Sequence, residues 1–96
     1  MDTSELLDAV VDQQTFLAFA RALRAEREEA VRLERATPSS PYGPDAGGWE
    51  NVTIESFLGA AIAWADDSRF GVDQGLSATN PWKQFAVFLN CGKYYE

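Results

Sequence analysis

Apolar residues recur at helical spacing in three stretches of the chain, and nowhere do apolar and polar residues alternate over a run long enough to demand a strand. In the first stretch Phe16, Phe19, Ala20 and Leu23 follow steps of 3, 1 and 3, one face of a helix. Asp12 stands where an N-cap belongs, with Val11 and Phe16 in the positions of a hydrophobic staple. The pattern predicts a helix over 13–35 whose second half, rich in Arg and Glu, is solvated and supported by an i,i+4 pair of Glu28 with Arg32. In the second stretch Ile54, Phe57, Leu58, Ala61, Ile62 and Ala65 are spaced 3, 1, 3, 1 and 3, the cleanest amphipathic pattern in the chain. With Thr53 as N-cap and Val52 and Phe57 as staple, a helix is expected over 54–67. In the third stretch Asn80 caps and Pro81 opens a helix over 81–94, with Trp82, Phe85, Ala86 and Leu89 on one face and Phe88 and Tyr95 beside it.

The intervening segments are polar or broken. Residues 4–10 fit a short helix capped by Thr3 or Ser4. Residues 37–50 hold Pro38, Pro41, Pro44, Gly43, Gly47 and Gly48, which forbids regular structure and predicts a long loop, either mobile or binding. Gly71 and Gly75 mark a turn from which Phe70 and Val72 could tuck back on the core. The expected fold is therefore all-α: a single domain, 1–96, in a small bundle of three main helices (13–35, 54–67 and 81–94), plus a short N-terminal helix and the long Pro/Gly loop 37–50. The last two main helices carry the core, and the first lays its N-terminal half across them.

Charge narrows the partners. The chain carries a formal net charge of −7. Residues 1–36 are net −3, residues 37–80 net −5 and residues 81–96 net +1, so the middle of the chain is the acidic part. Phosphate backbones are repelled by such a chain, and the arginines of the first helix are interleaved with glutamates and lack aromatic companions, so no nucleic-acid partner is expected. No stretch approaches the ~20 apolar residues of a membrane span, and the first residues lack the pattern of a signal peptide. A single cysteine, Cys91, allows no internal disulfide. The expectation is a cytoplasmic protein away from membranes.

Chemistry is thin. Histidine is absent, which removes the commonest general base and metal ligand, and with it any Ser-His or Cys-His pair. One cysteine makes no zinc site, and the glycines match no phosphate-binding signature. No catalytic residue, metal or cofactor is assigned. Asp66, Asp67 and Asp73 are the nearest constellation of carboxylates; two of them crowd a helix C-terminus, against its dipole. They read as a solvated acidic turn, a surface for a basic partner, or a weak divalent-cation site. Trp49, at the exit of the loop, is either a lid over the core or an interface anchor. Trp64 and Trp82 read as core, their indole N–H groups needing partners. Cys91, among apolar neighbours, reads as inert. Tyr94 and Tyr95 either pack or offer a self-association surface.

Four segments together suggest a family. Trp49-Glu50-Asn51-Val52-Thr53-Ile54-Glu55-Ser56-Phe57-Leu58, then Ala63-Trp64-Ala65-Asp66, then Asn80-Pro81-Trp82-Lys83-Gln84-Phe85-Ala86, and last Lys93-Tyr94-Tyr95-Glu96 make the chain resemble a family of short, acidic bacterial proteins of unknown function. The resemblance covers roughly residues 10–96 and is least at 37–47. It implies no activity. By analogy alone, small acidic bacterial proteins of this shape include immunity proteins and antitoxins.

The leading expectation is a small acidic protein-interaction module without catalytic activity, of immunity or inhibitor type, meeting a basic partner surface through Trp49, Glu50, Asp66, Asp67 and Asp73. The alternative is a structural or regulatory homo-oligomer, a homodimer through Tyr94, Tyr95 and the last helix. An enzyme built on carboxylates and a metal is the third reading.

Overall fold

The structure, a computed structural model, describes residues 1–95. Glu96, the last residue of the C-terminal motif, lies outside the described residues. Among the described residues four α-helices follow one another: α1 (Thr3–Asp8), α2 (Gln13–Ala36), α3 (Ile54–Ser68) and α4 (Pro81–Gly92). Single 3₁₀ turns at Ala46–Gly48 and Val72–Gln74 punctuate the two long connections. Among the described residues there is no strand, only an isolated bridge between Asp45 and Trp49. The all-α class and the three main helices are as the spacing predicts.

Each helix begins where a side chain takes up the orphan N–H groups of its first turn. Asp12 Oδ1 accepts from the Thr15 N–H at 2.9 Å, and Thr15 Oγ1 accepts in return from the Asp12 N–H at 3.0 Å. Thr53 and Ser56 repeat this reciprocal cap on α3, and Asn80 Oδ1 accepts from the Lys83 N–H at the start of α4. The cap of α1 is Asp2, whose Oδ1 accepts from the Glu5 N–H, and not Thr3 or Ser4. α4 stops at Gly92, two residues before the expected end, because the chain tightens there: the N–H groups of Tyr94 and Tyr95 both turn back to the Cys91 carbonyl. The expected Glu28–Arg32 pair is replaced by Arg24–Glu28 and Glu29–Arg32, all exposed.

Packing departs from the expectation in one consequential respect. α4 is the central element and meets α1, α2 and α3. α2 and α3 flank it without meeting: among the described residues no Cα of one lies within 8 Å of a Cα of the other. The first helix thus lies across the last, not across both. It contributes Phe19, Leu23 and Ala30 to a core completed by Val10, Trp49 and Ala86, with Phe57, Trp82 and Leu89 packed against it. Ala30 is buried in the half of α2 expected to be solvated, because the loop returns over it.

α3 buries Ala60, Ala61, Trp64 and Ser68 against α4 and the turn that follows. Three members of its apolar pattern face solvent instead: Ile54 is 78 %, Leu58 45 % and Ile62 51 % exposed. Phe85, also expected in the core, is half exposed. The row 54, 58, 62 and the inward row of partly buried Phe57 with buried Ala61 and Trp64 lie side by side on the helix, and only one of them can face α4.

The α3 C-terminus ends in three successive residues at positive φ, Arg69 (51°), Phe70 (56°) and Gly71 (85°). Left-handed backbone costs about 1–2 kcal/mol at a residue with a side chain. What it achieves is the tucking of Phe70 onto Phe88, ring centroids 5.5 Å apart and nearly parallel, and edge-on to Trp64 at 5.8 Å. Gly71 has no tolerable substitute here, since a Cβ would run into Leu76 and approach the Trp64 ring to 3.0 Å. Val72, expected to tuck in with Phe70, is instead 40 % exposed.

Candidate functional site

The loop expected to be mobile or binding is pinned at both ends. The Glu34 carboxylate accepts from the Ser39 N–H (2.6 Å), the Ser39 hydroxyl (2.8 Å) and the Ala46 N–H (3.0 Å). These donors, led by the Ser39 amide, hold the Glu34 carboxyl below its usual range. The chain then crosses to the end of α4. The N–H groups of Glu50 and Asn51 both donate to the Lys93 carbonyl (3.1 and 3.2 Å), and Asn51 Nδ2 donates to the carbonyls of Gly92 and Tyr95 (3.1 and 3.2 Å). Trp49-Glu50-Asn51 and Lys93-Tyr94-Tyr95, the first and last segments that carried the family resemblance, are therefore one joint. This is a reason in physical terms for residues of those types at those positions.

Trp49 fills the middle of that joint and is 3 % exposed. Its ring stacks on Phe57 at 6.3 Å and has two cations over it, the Arg27 guanidinium at 5.2 Å and the Lys93 ammonium at 5.3 Å. Lys93 is paired with Glu26. Arg27 is poorly paired: its Nη2 reaches Asp45 Oδ2 only at 3.9 Å, and its Nη1 is buried without an acceptor among the described residues. The Trp49 Nε1 is likewise buried and unpartnered there. Buried donors without acceptors are uncommon and costly.

Beside this joint, where α2 and α3 fail to meet, lies a groove of about 390 Å³, near the lower end of ligand-site volumes (about 300–1,000 Å³). Ala20, Leu23, Arg24 and Arg27 form its α2 wall; Ile54, Phe57 and Leu58 form its α3 wall; Trp49 and Asn51 close one end. The lining is apolar except for the two arginines, Asn51 and the α3 cap Thr53. The exposed row on α3 extends the apolar surface past the groove to Ile62.

The chain belongs to the DUF7660 family, a family of unknown function. The family's model matches residues 12–96, which span α2 to the end of the chain and include both walls of the groove. No curated protein and no solved structure matches it.

The residues singled out from the sequence do not all converge. Trp49 borders the groove but is buried, and its neighbour Glu50 lies on the exposed side of the joint. Asp66, Asp67 and Asp73 lie at the far end of α3 and in the turn beyond. Asp73 is ion-paired with Arg69, which depresses its carboxyl below the usual range. Asp67 Oδ2 accepts from the Tyr95 hydroxyl at 2.6 Å, and that bond raises the Tyr95 pKa. Among the described residues no three Cys, Asp or Glu side chains are grouped to hold a metal ion. Tyr94 is half exposed. Cys91 is buried, which pushes its thiol up to about 11 and keeps it protonated at neutral pH. No helix among the described residues is long and apolar enough to cross a membrane. The groove arginines, Arg24 and Arg27, and the exposed stripe Ile54–Leu58–Ile62 were missed as site residues. The signal available for the stripe was its doubling of the Phe57–Ala61–Trp64 row on one helix.

Proposed function

We propose that this chain is a non-catalytic protein-interaction module, and that its partner docks in the groove between α2 and α3. The observation that carries the reading is the exposed row Ile54, Leu58 and Ile62, one helical turn apart, bordering that groove. Single exposed apolar residues are ordinary on protein surfaces; a contiguous apolar row beside a concave apolar wall marks a binding surface. The absence of histidine and the protonated, buried thiol leave little for catalysis, which supports a binding role. The acidic excess gives the rest of the surface a field that steers partners with basic flanks, in the manner of an immunity or inhibitor protein. A cytoplasmic setting accords with the lone free cysteine.

The groove carries more of this reading than the acidic turn does, since Asp67 and Asp73 already have partners within the chain. The experiment is affinity purification of the full chain from its native cell beside the variant Ile54→Glu/Leu58→Glu. The expected result is one stoichiometric protein recovered with the first and absent from the second. Recovery of the same proteins with both, or of none with either, overturns the reading.

A further inference from the structure

Resting on the docking reading, we infer that the occupant of the groove is an amphipathic helix of another protein, carrying acidic side chains along the edge that faces α2. Three observations converge. First, α2 and α3 both pack on α4 and leave the place between them empty. A helix laid there completes a bundle and gives the row Ile54, Leu58, Ile62 an apolar partner surface, the helix-in-groove mode of recognition. The row spans nine residues, eight rises or about 12 Å of helix axis, so it meets two to three turns of an incoming helix. Second, the α2 wall is cationic in a chain of net charge −7. Among the described residues Arg24 is ion-paired only with an exposed Glu28 at 3.5 Å, and Arg27, its side chain 28 % exposed, reaches a carboxylate only at 3.9 Å. An aspartate or glutamate entering along that wall meets the exposed Arg24 guanidinium and the accessible part of Arg27, with a charge-assisted bond as the gain. Third, self-pairing meets repulsion. A twofold contact of α3 rows would set two molecules, each at −7, against one another.

The test separates the local charge of the groove from the charge of the whole. Two helical peptides about four turns long share one leucine stripe and differ only in carrying glutamates or lysines along one edge. Each is titrated calorimetrically into the full chain at moderate salt. The overall charge predicts that the lysine peptide binds tighter. The groove predicts the reverse, by about tenfold or more, the worth of one charge-assisted hydrogen bond. Arg27→Gln is expected to abolish the preference, and Arg24→Glu, at a side chain 79 % exposed where folding is safe, to shrink it. Ile54→Glu is expected to weaken both peptides.

Equal binding, or tighter binding of the lysine peptide, overturns the inference while the docking reading stands. Failure of both peptides, with a native partner still lost from Ile54→Glu/Leu58→Glu, does the same. A chain that self-associates in the ultracentrifuge and is made monomeric by Ile54→Glu has a second copy as its occupant, and the inference falls. If neither peptide nor native partner binds, both fall together.

Discussion

Two buried tryptophans sit at opposite ends of the same helix layer and are treated differently by their surroundings. Trp64 is 2 % exposed and its indole N–H donates to Gln74 Oε1 at 2.8 Å. Around it Ser68 is fully used, its hydroxyl donating to the Trp64 carbonyl and accepting from the Gly71 N–H, while Gln84 Nε2 caps the Phe70 carbonyl. Trp49 is as deeply buried, yet its N–H has no partner among the described residues, its flanking Arg27 is half-paired, and the groove opens beside it. One end is a closed knot in which every polar group named is satisfied; the other has unspent donors next to an apolar hollow. Satisfied polar networks fix structure, and unsatisfied ones gather where something else binds.

The contrast predicts unequal losses. Trp64→Ala is expected to cost about 3–5 kcal/mol, a large part of the stability of a domain this size, measured by urea unfolding. Loss of less than about 2 kcal/mol would mean that the knot is looser than its bonds imply. Gly92→Ala comes next. A Cβ there would lie 2.8 Å from the Phe57 ring, which is wedged against Trp49, so a cost of about 1–3 kcal/mol is expected. Then comes a matched pair, Trp64→Phe and Trp49→Phe. Each shortens a buried aromatic, but only the first strips Gln74 of its donor. Trp64→Phe should therefore cost about 1 kcal/mol more than Trp49→Phe. Equal losses would erase the distinction between the two ends.

How much of this could be read in the chain itself follows the same division. The helices were legible because their starts are local: Asp12, Thr53 and Asn80 cap within three residues, and Pro81 cannot continue a helix backwards. The face of α3 was not legible, since Ile54, Leu58 and Ile62 are as apolar as Phe57, Ala61 and Trp64, and the choice depends on where α4 lies. Nor was the gap between α2 and α3, which is a property of three helices together. The joint of Asn51 with Gly92 and Tyr95 links positions more than forty residues apart through side-chain–to–carbonyl bonds that leave no periodic trace. The left-handed pair Arg69 and Phe70 breaks local preference and is compensated by distant contacts, the Phe70 ring against Phe88 and Trp64 and the Gln84 bond to the Phe70 carbonyl. What the residues did announce was the family pattern, whose first and last segments the fold brings into contact.

Acid should loosen the Trp49 end through the loop. The amides of Ser39 and Ala46 and the Ser39 hydroxyl hold Glu34 below its ordinary 4.5. A carboxyl depressed in the folded state contributes stability that is present above its unfolded value and lost as pH falls through the folded one. The expected course is a flat response from neutrality down to about pH 5, then a decline through and below 4.5. Asp12 and Asp73 are depressed as well, but from an ordinary 3.8, so the loss of the α2 cap and of the Arg69 pair follows at lower pH. Glu34→Gln isolates the loop: it should flatten part of the decline and speed amide exchange at Ser39 and Ala46, leaving the Trp64 end protected. Unchanged exchange at those two amides would show that the loop is held by something other than Glu34.

The smallest effect is expected where the surface reading is most exposed to test. Ile54→Lys removes an apolar side chain that is 78 % exposed and adds a charge next to no buried group. If Ile54 serves packing, its loss should cost as core positions do, 2 kcal/mol or more (~2–5 for Ile→Ala). If it serves only an absent partner, stability should move by no more than about 0.5 kcal/mol, as at ordinary surface sites, and the chain should become less prone to associate at high concentration. A stability change of core size would place Ile54 within the fold and leave the groove without one of its walls. A neutral change, set against the loss at Trp64 on the same helix, separates the face of α3 that holds the protein together from the face that is kept for contact.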